Sequence, residues 1–327
     1  MSNENNTAAN ELQIAQPSRG MPRHHQMIFA GLLIAALIAP FMLYPVFLMK
    51  VLCFALFACA FNLLLGFGGL LSFGHAAYFG AASYVAAHAA KVWGLTPELA
   101  ILTGTLAAGV LGLIFGSLAI RRQGIYFAMV TLAFAQMVYF FSLQAPFTGG
   151  EDGIQAVPRG RLFGLLDLRS DFTLYFVVLA ITFIGLLIIY RVIHSPFGQV
   201  LKAIRENEPR AISLGYRTSQ YKLAVFVLSA TLAGLAGATK ALVFQIATLT
   251  DVHWSMSGEV VLMTLIGGMG TVFGPIVGAV VIVTAQNYLA GFGAWVTIIQ
   301  GVIFVVAVMM FRQGIVGLLA RILRKPL

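Results

Sequence analysis

Charge is scarce in this chain: charged side chains are 9% of its 327 residues, where a soluble domain carries about 25%. That scarcity excludes a soluble fold, because a 60% hydrophobic sequence has more apolar surface than a soluble core can hide. Period-two alternation is missing as well, which excludes outer-membrane strands. Helices are then the remaining way to pair every backbone amide in lipid. Cysteine is limited to Cys53 and Cys59, six residues apart in one apolar block. On a helix they point to different faces and read as small buried hydrophobes, not as a disulfide or metal pair. No phosphate-binding Gly-x-x-x-x-Gly-Lys-Ser/Thr loop, no His-Glu-x-x-His helix and no Gly-x-Ser-x-Gly elbow is present. The chain therefore has no visible means of hydrolysing ATP or cutting a bond, and neither catalytic residues nor a metal site are expected.

Long apolar blocks are what the sequence does have. Met27 to Tyr44, Phe172 to Tyr190 and Leu223 to Ala238 approach the roughly 20 residues that cross hydrocarbon. Punctuation by Gly, Pro and charge predicts an all-α polytopic membrane protein with about ten crossings. These are Met27 to Tyr44, Val46 to Gly66, Leu70 to Ala90, Glu98 to Ile120, Ile125 to Leu143, Phe172 to Tyr190, Leu223 to Leu249, Ser255 to Thr271, Phe273 to Leu289 and Ala294 to Phe311. The expected organisation is a disordered cytoplasmic tail over 1–26, a membrane domain over 27–312 and a cytoplasmic C-terminal tail over 313–327. No cleavable signal is evident.

With the N-terminus placed inside, fourteen of the 20 Lys and Arg residues fall on the cytoplasmic side. Five fall outside (Lys50, Lys91, Arg159, Arg161 and Arg169), and Lys240 lies within a span. The bias satisfies the positive-inside rule and puts both termini in the cytoplasm. In this position the excess of nine positive charges reports topology and not nucleic-acid binding. An external loop over 144–171 and an internal loop over 194–222 result.

The internal loop reads as two short helices. Ser195-Pro196 supplies an N-cap and a first-position proline; Val200, Leu201 and Ile204 share one face, with Lys202, Arg205 and Glu206 elsewhere. Pro209 opens a second turn with Ala211, Ile212 and Leu214, and Gly215 ends it. Such an amphipathic element either lies on lipid headgroups or docks onto a soluble partner.

Two glycine clusters interrupt the apolar blocks, one near each end of the chain: Gly66, Gly68, Gly69, Ser72, Gly74 and His75, then Gly267, Gly268, Gly270, Gly274 and Pro275. Matched interruptions predict an internal inverted repeat with broken helices along a translocation path; close helix packing is the plainer alternative. His75, His88, Lys240 and Glu259, with Asn62 and Gln136, are the polar residues at depth. His75 and Glu259 are the path candidates among them, the alternative being local bonding or snorkelling.

Three runs carry a family resemblance: Phe61 to Tyr84 (FNLLLGFGGLLSFGHAAYFGAASY), Ser195 to Tyr216 (SPFGQVLKAIRENEPRAISLGY) and Leu265 to Ala279 (LIGGMGTVFGPIVGA). Together they resemble the LivM-type permeases of branched-chain amino acid ABC importers, over about Leu52 to Leu319. The resemblance implies that the internal loop docks onto an ATPase, through Gly198, Leu201, Ile204, Arg205, Glu206, Glu208, Ala211 and Gly215. The general importer pattern Glu-Ala-Ala-x-x-x-Gly is matched in part. With Gly215 last, its first three positions hold Pro209, Arg210 and Ala211, and Glu208 stands one place early. It further implies a second related permease subunit, two cytoplasmic ABC ATPases that bind the ATP, an extracytoplasmic binding protein landing on 144–171, and a bacterial inner membrane. Leu, Ile or Val suits a path of Gly, Ala, Ser, Phe and Met. Urea, amides or aromatic acids are the alternative cargoes. A self-sufficient channel or secondary carrier is the competing class, and an intramembrane enzyme built on His75 and Ser72 is a third.

Overall fold

The computed structural model describes residues 23–164 and 166–292, together with 298–299, 301–302, 305, 309 and 314–323. Residues 1–22 of the expected tail and most of the tenth expected crossing, Ala294 to Phe311, lie outside the described residues. Two compact units divide the chain after Met42. The first holds helix α1 (Arg23–Ile38) and a tight turn, Ala39–Phe41, whose Pro40 cannot extend the helix above it.

The second unit starts with α2 (Pro45–Asn62), which runs on through one wide turn, Leu63–Phe67. Then come α3 (His75–Lys91), α4 (Pro97–Ala119), α5 (Ile125–Gln144) and α6 (Asp171–Ile193). The internal loop forms α7 (Pro196–Glu206) and α8 (Glu208–Ser213), followed by α9 (Thr218–Phe244), α10 (Trp254–Gly267), α11 (Gly274–Leu289) and α12 (Gly314–Leu323). Proline stands in the first turn of α2, α4, α7 and α11, where its missing N–H costs nothing.

Every expected crossing from Val46 to Leu289 coincides with a helix. Pro45–Phe67, Pro97–Ala119, Ile125–Gln144, Asp171–Ile193 and Thr218–Phe244 are long and apolar enough to span a bilayer. The glycine-rich segments give shorter helices of 17, 14 and 16 residues, because the chain between their glycines is spent on turns. The segment expected as a C-terminal tail contains α12, whose Val316 is buried.

Small residues let α3, α4 and α9 pack backbone to backbone. A methyl on Gly104 would stand 2.5 Å from the Ala82 carbonyl, and one on Gly112 would stand 2.6 Å from Ala230. Without a hydrophobic force between helices in lipid, such close van der Waals contact is what holds a bundle together.

Loop 144–171 is fastened at the far end of α9. Strand β1 (Ile154–Gln155) pairs antiparallel with β4 (Ile246–Ala247), and a second pair joins β2 (Arg161–Leu162) to β3 (Leu166–Asp167). Arg159 donates to the Val243 carbonyl at 2.7 Å and pairs with Asp171 at 2.6 Å.

Lys240, the lone cation placed within a span by sequence, is neutralised. Its Nζ meets Asp251 at 2.6 Å, and the side chains are only 12% and 3% exposed. Asp251 also closes a capping box with Thr248. Removing one partner of a buried pair strands the other charge, so Lys240→Met is expected to cost about 3–5 kcal/mol. A thermal melt of the purified chain in detergent checks this; an unchanged melting temperature would contradict it.

Candidate functional site

The two glycine clusters meet each other. α2 and α3 run antiparallel, since Phe61 faces His75 and Phe57 faces Phe79. α10 and α11 do the same, for Gly278 stands against the Met263 carbonyl and Gly267 against that of Gly274. Each cluster is therefore the reversal of a helical hairpin. Thr264 bonds to Ala58, and further along α2 Asn62 bonds to Gly270, just past the end of α10. The numbers rise together, so α2 and α10 are parallel and these two hairpins run in the same sense. The inversion expected from sequence does not relate them, because matched glycine turns mark a reversal without specifying its direction.

Asn62 joins the turns. Its Nδ2–H donates to the Thr271 carbonyl at 2.8 Å, and its Oδ1 accepts from Gly270 N–H at 2.9 Å. The carbonyl groups at the end of α2 are loosened by its wide turn, a geometry common where a helix serves function. One of them, that of Gly66, accepts a hydrogen bond from Arg205 of α7. Gly66 has no room for a side chain, since a Cβ there would stand 2.6 Å from Gly270 N. Gly69 combines φ +69° with the Arg205 stem, whose Cγ would lie 2.7 Å from an added Cβ; both demand glycine. Lys202 of α7 stands 5.7 Å over the Phe67 ring. Helix α7 is thus clipped to one hairpin turn and, through Asn62, to the other. Hydrogen bonds hold this hub, about 1 kcal/mol for a neutral pair and about 1.5–3 kcal/mol for the one from the Arg205 guanidinium.

The loop helices form as their residues dictate. Ser195 Oγ accepts from Gly198 N–H at 3.3 Å, Asn207 Oδ1 accepts from Arg210 N–H at 3.0 Å, and Gly215 at φ +87° ends α8. Leu201, Ile204, Ala211 and Gly198 turn inward and are buried. Glu208 pairs with Lys222 at 2.6 Å and accepts from Gln123 at 3.2 Å. Of the residues expected to couple, Glu206 and Gly215 stand exposed, and Arg205 bonds within its own chain. The outward apolar face is instead Ile212, Leu214 and Tyr216, 56%, 69% and 41% exposed.

The path candidates separate into three groups. Gly68, Gly69, Gly267, Gly268, Gly270 and Gly274 build the turns. Ser72, Gly74 and His75 are packed inside: Ser72 Oγ accepts from Gly74 N–H at 3.2 Å, Gly74 abuts the Thr131 carbonyl, and His75 Nε2 lies 2.8 Å from Ser229 Oγ. Since Ser229 donates to the Ala60 carbonyl, His75 is the donor to Ser229. Ser72 and His75 are not bonded to each other, and the hydroxyl that His75 does meet, that of Ser229, gives its proton to a backbone carbonyl. Glu259 lies apart, two turns up α10, held by Gln286 at 2.9 Å.

Five long apolar helices, two hairpins joined at their turns and a polar loop clipped to one of them define a multi-pass membrane protein. The chain belongs to the family described as branched-chain amino acid transport system / permease component, whose model matches residues 43–308. The chain is 30% identical over 237 residues to the high-affinity branched-chain amino acid transport system permease protein LivM of Salmonella typhimurium. It is 29% identical to that of Escherichia coli; each match takes in 65% of this chain and 56% of the relative. The chain thus spans little more than half the length of these curated relatives. A ribose import permease protein, RbsC of Bacillus subtilis, is 28% identical over 68% of this chain and 70% of its own. No solved structure gives a significant match.

Proposed function

We propose that the chain is the transmembrane permease subunit of an ABC importer for branched-chain amino acids. It forms part of the path and takes its energy from separate ATPase subunits. The carrying observation is the hub: a surface loop helix is bonded to the reversal of one central hairpin, and Asn62 bonds that hairpin to the reversal of the other, so a force on the loop reaches both in two steps. In this reading α7 and α8 face the cytoplasm, as the charge bias requires, and both termini lie on that side of a bacterial inner membrane. A second related permease subunit completes the path, two ABC ATPases bind ATP beneath it, and an extracytoplasmic binding protein lands on the fastened loop 144–171. ATP favours one conformation only through a differential contact with this loop. The names of the LivM relatives support Leu, Ile and Val as cargo over ribose.

The partner contact falls on the outward face of the loop. Leu214→Asp with Tyr216→Asp is expected to reduce co-purification of the ATPase subunits by about tenfold or more, since a buried interface charge costs more than 1.4 kcal/mol. Pull-down from membranes co-expressing the subunits measures this, and undiminished ATPase recovery would place the contact elsewhere. The function itself is tested by reconstituting all subunits in vesicles with labelled leucine, urea and ribose. ATP-dependent leucine uptake is expected, and uptake by this chain without ATPases would favour a channel or carrier.

A further inference from the structure

Toward the ends of the helices opposite the hub, three polar side chains come together. Lys50 stands in the second turn of α2, Glu259 in the second turn of α10 and Gln286 in the last turn of α11. All three are half-buried, at the surface of this chain and within apolar helices, although the charge count by sequence set Lys50 outside the membrane. Gln286 Nε2–H donates to Glu259 Oε2 at 2.9 Å and orients the carboxylate. The bonds Thr264–Ala58 and Asn62–Gly270 set α10 beside α2 with offsets of 206 and 208 residues, and that register brings Lys50 level with the turn that carries Glu259. The two charges are nonetheless not joined: the ion pairs among the described residues are Arg159–Asp171, Lys222–Glu208 and Lys240–Asp251. Open space adjoins the acid, for a Cβ built on the neighbouring Gly258 meets nothing within 4 Å.

Hydrocarbon is a poor neighbour for this face, because ionisable groups at membrane depth are retained where they meet a partner or a water-filled path. Two opposite charges at one level of neighbouring helices and not paired with each other, one of them oriented by an amide, suit a ligand that carries both charges close together. An α-amino acid zwitterion has that form, whereas a neutral sugar or urea matches neither group.

We propose that Lys50 and Glu259 line the path and receive the carboxylate and the ammonium of a zwitterionic amino acid, with Gln286 positioning Glu259. This rests on reading the chain as an importer permease. The test is ATP-driven uptake of labelled leucine by the complete complex in vesicles, with assembly checked by co-purification and thermal melting. Lys50→Met and Glu259→Gln are each expected to slow uptake about tenfold or more, the loss of one charge-assisted bond. The double variant is expected to be no better than the worse single one. If the two charges serve only each other, removing both leaves nothing unpaired, and recovery of uptake in the double variant overturns the proposal. Gln286→Leu is expected to slow uptake and Gln286→His, which restores an N–H donor, to regain it; no rescue would count against the positioning role. Should a neutral variant fail to assemble, Lys50→Arg and Glu259→Asp shift each charge instead, and unchanged uptake in both refutes the site. Wild-type vesicles that take up no leucine would sink the importer reading itself.

Discussion

Arg205→Ala is expected to cut ATP-driven uptake about 10- to 100-fold while the ATPase subunits still co-purify. The guanidinium is the direct bond between α7 and the Gly66 carbonyl. A hydrogen bond to a charged group contributes about 1.5–3 kcal/mol, and each 1.4 kcal/mol is a tenfold change in an equilibrium. Without it the loop helix still stands, because Leu201 and Ile204 remain buried and Glu208 keeps Lys222. What is lost is the transfer of a loop displacement to the hairpins. ATP hydrolysis by the complex should therefore continue and become independent of leucine. Arg205→Lys keeps the charge with a shorter reach and should fall between the two. Leucine-dependent hydrolysis and uptake at wild-type rates in Arg205→Ala would show that force enters elsewhere.

Asn62→Leu, which keeps the branching of the side chain and removes both polar atoms, is expected to damage folding and transport together. The amide is 2% exposed and serves both Gly270 N–H and the Thr271 carbonyl. Each buried group left unsatisfied costs about 1–3 kcal/mol, so the loss at this one position is a large share of a typical stability of about 5–15 kcal/mol. Asn62→Asp keeps the acceptor for Gly270 N–H and should be less severe in the melt. Melting in detergent and vesicle uptake give the two readouts. A leucine variant as stable and active as wild type would mean that the hairpin turns need no link.

Much of this arrangement is local and was therefore legible in the residues. Pro45, Pro97, Pro196 and Pro275 announce helix starts, Ser195 caps α7, and Gly215 ends α8 as its position requires. The amphipathic pattern of α7 correctly identifies a face, but period alone does not say what covers it: Leu201 and Ile204 pack on their own chain and leave Ile212, Leu214 and Tyr216 outward. The hub was not legible. Asn62 and Gly270 are 208 residues apart, Arg205 and Gly66 139, and no periodicity reports a contact at that separation. Lys50 and Gln286 were equally hidden, since a lysine near a helix start reads as an interface anchor until Glu259 is seen across from it.

Helix α9 is long and apolar enough to reach from one side of a bilayer to the other. Its 27 residues, about 40 Å at 1.5 Å each, run unbroken from Lys222, tied to Glu208, to Val243 and Gln245, tied to Arg159 and Val157. A push rod of this kind has no joint in which a stroke is dissipated. In the proposed importer, a receptor seated on the loop at one end and a motor gripping the loop at the other would hold two handles on one rigid shaft. Reciprocity follows: whatever preference the motor's nucleotide imposes on the receptor's hold, the receptor imposes equally on the motor.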